Sequence, residues 1–108
     1  MAWLVRDNEV LATLEIATSR SARRRGLLGR DGIDGALLIP ATRSVHSFGM
    51  RFDIDVAFLD TDHRVLKIVA LRRGRVTAPV WAAQAVVEAE AGSFREWGLQ
   101  CGDELEIR

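Results

Sequence analysis

The stretch Ile54-Asp-Val-Ala-Phe-Leu-Asp-Thr-Asp-His-Arg-Val-Leu-Lys-Ile-Val-Ala-Leu71, IDVAFLDTDHRVLKIVAL, decides how the rest of the chain is read. Two runs, Ile54 to Leu59 and Val65 to Leu71, are apolar on both faces, and the turn formers Asp60-Thr61-Asp62-His63 separate them. A helix would need more length and a 3.6-residue stripe; two short runs with a polar break predict a β-hairpin.

Working outward, Ala36 to Ile39 is a short run apolar on both faces, closed by Pro40, and is read as a central strand. Trp3 to Val5 and Val10 to Ile16 flank Asp7-Asn8, with Val10, Leu14 and Ile16 at a period of two, which predicts an opening hairpin. Ala85 to Ala91 alternates so that Val86, Glu88 and Glu90 share a side. Glu104 to Arg108 closes the chain as a strand with Leu105 and Ile107 inward.

Two short helices are expected. Thr18 or Ser19 can cap the first, with Arg23, Arg24 and Arg25 towards its C-terminal end and Gly29 as its stop. Ser93 can cap the second, through Phe94 and Trp97 to Gly98. Strands and helices do not alternate regularly, so a doubly wound sheet is disfavoured. The expected fold is mainly β (α+β): a compact barrel-like antiparallel or mixed β domain with one or two short helices.

The 108 residues suit a single domain, residues 1–108. Hydrophobic residues make up 48% and charged residues 28%, as in an ordinary globule. Fifteen basic residues balance fifteen acidic ones, so no global field favours nucleic acid, and none is expected as a partner. Lys67 is the only lysine; the arginine excess favours bidentate pairing with carboxylates. No stacking aromatics are interleaved with Arg20, Arg23, Arg24, Arg25 and Arg30, which read as a solvated helix face, with an acidic partner as the other reading. The N-terminus, MAWLVRDNEV, reaches charge within six residues, so a cytoplasmic location without membrane insertion is expected.

Candidate chemistry is sparse. Cys101 is the only cysteine and His46 and His63 the only histidines, so neither a disulfide, a metal site nor a cofactor is expected. Asp60-Thr-Asp62 lacks the glycine and distal glutamate of a calcium loop. Asp55 and Glu88 stand among apolar strand neighbours, where a bare carboxylate costs several kcal/mol, on the order of a desolvated ion. A structural polar network of Asp55, Glu88, Arg25 and Arg30, with Arg51 also available, is therefore expected; a ligand pocket is the alternative. On the irregular loop before the strand, His46, Phe48, Met50 and Arg51 form either a binding rim or a buried plug.

Three segments carry a resemblance across nearly the whole chain: Arg25-Gly-Leu-Leu-Gly-Arg30, His46-Ser-Phe-Gly-Met-Arg-Phe-Asp-Ile-Asp-Val-Ala-Phe-Leu-Asp60, and Val87-Glu-Ala-Glu-Ala-Gly92 with Gly98-Leu-Gln-Cys-Gly-Asp103. On these the chain resembles domain-of-unknown-function family 192 (DUF192, COG1430), in the branch with a His-Thr-Phe-Gly-Met type of string, Ser47 replacing the threonine. Asp53 and Glu90 stand where prolines are usual in the family. The resemblance implies a small β-rich, barrel-like domain, members that are often exported, and some members associated with secretion or pilus gene neighbourhoods. It implies no activity.

Two functional expectations follow. The first is a non-enzymatic accessory domain that binds a small ligand or a protein, as a monomer or weak homodimer. The second is a small hydrolase or transferase in which His46 does acid-base work oriented by Asp55 or Glu88.

Overall fold

A computed structural model describes residues 2–108. The chain runs β1 (Ala2–Arg6), β2 (Glu9–Ile16), α1 (Arg20–Arg25), β3 (Ala36–Pro40), β4 (Ile54–Leu59), β5 (Val65–Leu71), β6 (Ala85–Glu90), α2 (Ser93–Trp97) and β7 (Glu106–Ile107). These seven strands join one mixed sheet in the order β5-β4-β6-β3-β2-β1-β7. Among the described residues the only parallel pair is β2 with β3, and α1 lies in the connection between them.

The expected hairpins form for identifiable local reasons. Asp7 and Asn8 both take positive φ, +50° and +65°, as a two-residue primed turn demands, and Arg6 faces Glu9 across it. Between β4 and β5 the Asp60 carboxylate accepts from the backbone N–H of Asp62 and Arg64, both at 2.9 Å, closing the turn with a side chain. Every residue of β4 is buried, because β5 and β6 flank it and both sheet faces are covered.

The sheet curls into a half-barrel, and its two edges meet at one end. The Val65 N–H donates to the Asp103 carbonyl at 2.8 Å, Gly102 to Val65 at 2.8 Å and Leu105 to His63 at 3.0 Å. An Arg64–Glu104 ion pair and an antiparallel bridge between the same residues lie on this seam. Part of each edge is thereby covered, which a flat sheet of seven strands could not achieve.

Strand parity divides the core in two. Leu14, Leu38, Ala57, Leu59 and Val87 gather on one face with Phe94 of α2 and Leu105. Leu37, Ile39, Val56, Phe58 and Val86 form the other face, beneath Leu27, Met50 and Ala22 of α1. In the β4–β6 register Asp55 faces Ala89 and Val56 faces Glu88, so Asp55 and Glu88 point to opposite sides of the sheet.

Both helix boundaries differ from expectation in part. Ser19 caps α1, accepting from the Ala22 N–H at 3.0 Å, but the helix ends at Gly26 (φ +54°, ψ −126°), three residues before Gly29. The positive φ of Gly26 disfavours any side chain, and a Cβ there would also crowd Oε1 of Glu88 at 3.2 Å. Ser93 is the first residue of α2 rather than its cap; Gly92 precedes it in a left-handed conformation. Asp55 caps this helix from across the fold, its Oδ2 accepting from Gly92 N at 2.9 Å and Phe94 N at 3.1 Å. Among the described residues no helix is long and apolar enough to cross a membrane.

Candidate functional site

The loop from Ala41 to Asp53 is built on Ser47, which is fully buried. Its hydroxyl donates to the Arg72 carbonyl at 2.5 Å and accepts from the Arg75 N–H at 2.9 Å. Its own N–H donates to the Arg75 carbonyl, and its carbonyl accepts from Met50 and Gly74. Read from sequence only as a substitute for threonine, Ser47 is the residue that ties this loop to the one after β5. The next residue back, His46, bridges Val76.

Thus held, the four expected rim residues separate. His46 and Phe48 stack, ring centroids 5.4 Å apart with 23° between planes, and the Phe48 N–H donates to Nδ1 of His46 at 3.2 Å. Phe48 is 54% exposed, whereas Met50 is buried against the second core face. His46, Phe48 and Met50 line one cavity; Arg51 does not, and pairs with Asp31 at 2.9 Å on the surface. Phe48 is thus exposed beside the cavity while Met50 is packed as core.

This cavity, about 370 Å³, lies between α1, the His46 loop and the outer side of β6. Leu27, Ile39, Val45 and Met50 contribute apolar wall. Arg20, Arg23, Arg24 and Arg25 line it from α1, three of them at the i, i+3, i+4 spacing that aligns side chains on one helix face. These arginines were expected to be a solvated helix face. Arg20, Arg24 and Arg25 are indeed exposed and Arg23 half-buried, and the same side chains also border the cavity.

Glu88 forms part of the same lining and is 3% exposed. Among the described residues its carboxylate takes part in none of the ion pairs, and its Oε1 comes close to Gly26 at the end of α1. Burial pushes its pKa up to about 7 from 4.5, because water is removed from the charged form and no cation replaces it.

The expected network of Asp55, Glu88, Arg25 and Arg30 is therefore not formed. Asp55 is spent on the cap of α2, on the other face of the sheet. Arg30 makes a two-pronged pair with Glu15, at 2.8 and 3.1 Å, which holds the Glu15 carboxyl below its usual value. Arg25 lines the cavity. The His46–Asp55 pair needed for an oriented imidazole is likewise absent: Asp55 accepts from Gly92 and Phe94 on the other face and does not line the cavity that His46 borders. Among the described residues no three of His, Cys, Asp and Glu come together as a metal-binding group.

Comparison with known proteins gives the family and the fold. A UPF0127 protein of Thermococcus gammatolerans is 33% identical over 96 residues, and one of Thermococcus kodakarensis 34% over 96 residues. Each match covers 83% of this chain but only 63% and 61% of those relatives, so the chain spans about three-fifths of their length. Among solved structures, a protein of unknown function from Novosphingobium aromaticivorans superposes with a TM-score of 0.76 at 19% identity, covering 97% of this chain and 82% of that one. A candidate transcription regulator from Sinorhizobium meliloti superposes with a TM-score of 0.78 at 24% identity, covering 98% and 91%. At these identities the likeness is one of fold. The profile of the family described as uncharacterized ACR, COG1430 (DUF192), matches residues 3–107, and the chain belongs to that family.

Proposed function

We propose that this chain is a binding domain whose site is the cavity between α1, the His46 loop and Glu88. One observation carries the reading: Glu88, a residue only 3% exposed, makes no ion pair with the described residues, yet it borders an open cavity. Burying such a group unpaired is costly, and a ligand that hydrogen-bonds to it recovers part of that cost. Perturbed titratable groups in clefts mark candidate functional sites, and this one also has an aromatic lip and a cationic wall. The test is a thermal-shift screen of small molecules against wild type and Glu88→Leu. Stabilisation of wild type by compounds that leave Glu88→Leu unmoved supports the site; equal responses from both proteins overturn it.

One observation favours a second reading. A carboxyl poised near neutral pH, sharing a cavity with His46, is suited to proton transfer, so a small hydrolase or transferase would use Glu88 rather than Asp55 beside His46. Mass spectrometry of the bound compounds after prolonged incubation separates the two: recovery unchanged supports binding, whereas conversion lost in Glu88→Gln supports catalysis.

A further inference from the structure

We infer that the cavity takes a small oxyanion, a phosphate monoester or carboxylate, whose short carbon body ends in a hydroxyl group directed at Glu88. The inference rests on the binding reading above and adds the chemical class. Six arginines, Arg6, Arg30, Arg51, Arg64, Arg73 and Arg108, each have a carboxylate within 4 Å. The four on α1 take part in none of these pairs, as is true of Arg43, Arg72, Arg75 and Arg95, but they alone among these eight line the cavity. Four like charges within six residues, sharing one cavity wall, repel one another and are relieved by a shared anion. Guanidinium forks match the oxygens of phosphate and carboxylate alike, so the head group is defined as an oxyanion.

The hydroxyl is placed by Glu88, whose Oε1 lies 3.2 Å from where a Cβ on Gly26 would stand. An ionised carboxylate there would oppose an anion in the same cavity, but the desolvated group holds its proton into the neutral range. A neutral carboxyl both donates and accepts, which is what a hydroxyl also does, and the two can satisfy each other. An amine would instead draw the proton off and leave a buried ion pair. On the same lining, Leu27, Ile39 and Met50 provide apolar wall for a few carbons.

The experiment is ¹⁵N–¹H shift mapping of the full chain with five probes: glycerol 3-phosphate, glycerate, inorganic phosphate, glycerol and ethanolamine. Glycerol 3-phosphate or glycerate should move the signals of Gly26, His46 and Glu88, and bind about tenfold tighter than inorganic phosphate or glycerol, the size expected for one added charge-assisted or buried hydrogen bond. Which of the two binds tighter identifies the head group. Arg23→Ala/Arg24→Ala, exposed or half-buried changes whose fold the same spectra report, should weaken that binding by about tenfold or more. Glu88→Leu should abolish the advantage of glycerol 3-phosphate over inorganic phosphate. Cavity shifts with glycerol or ethanolamine but neither oxyanion overturn the inference and leave the binding reading standing. The absence of cavity shifts with all five overturns both.

Discussion

Replacing Glu88 with Gln should convert a pH-dependent stability into a flatter one. The folded-state carboxyl titrates at about 7 and its ordinary value is 4.5. Below pH 4.5 the group is neutral in folded and unfolded chains, and its ionisation costs nothing. Between 4.5 and 7 the unfolded chain ionises it while the folded one does not, so folding takes up a proton and wild-type stability falls as pH rises. At about 1.4 kcal/mol per pH unit the loss reaches about 3 kcal/mol by neutral pH. Above 7 the folded chain carries the charge and the loss levels off. The amide introduced by Glu88→Gln does not ionise. Urea denaturation of both proteins from about pH 4 to 8.5 should show the stability of Glu88→Gln relative to wild type rising by about 3 kcal/mol, most of it below 7. Every other ionisable group is common to the two proteins, so the remaining contributions largely cancel in the difference. A difference constant to within about 0.5 kcal/mol across that range, well under the linkage expected, would refute the reasoning.

Other substitutions test the parts that position the cavity. Asp55→Ala strands two N–H groups at the start of α2 and should cost about 2 kcal/mol in urea denaturation, with Asp55→Asn costing less because it keeps an acceptor. Ser47→Ala unpairs the Arg75 N–H and the Arg72 carbonyl; a loss of about 1–3 kcal/mol and faster amide exchange at Arg75 are expected. Gly35→Ala places a methyl group against the Thr13 carbonyl at φ +81° and should cost at least about 2 kcal/mol. Arg64→Ala removes an exposed ion pair from the seam and should change stability by less than about 1 kcal/mol, the seam being held by backbone bonds.

The strands were legible because their signals are local. The β4–β5 hairpin follows from two apolar runs and an aspartate-led turn, and the β1–β2 hairpin from Asp7-Asn8. Where two residues could do the same local job, the tertiary contact chose: Gly26 and Gly29 both suit a helix stop, but Glu88 lies under Gly26. Ser93 carries the usual cap chemistry, yet the cap of α2 comes from Asp55 on a distant strand. The polar network failed for a related reason. That Asp55 and Glu88 are buried can be read from their neighbours, but their placement on opposite faces depends on the β4–β6 register, which no single strand encodes. The cavity was the least legible feature, because it exists only once α1, the His46 loop and Glu88 of β6 come together, which puts a solvated row of arginines and a buried glutamate on one lining.

The central claim is that this cavity retains a small molecule. Equilibrium dialysis of wild type and Leu28→Trp against the small-molecule fraction of a cell extract, read by mass spectrometry, tests it directly. Leu28 is 38% exposed on the cavity wall, so an indole there fills the space with little disturbance of the core. Wild type should concentrate at least one oxyanionic compound that the filled variant does not. The same compounds at the same levels with both proteins would contradict it.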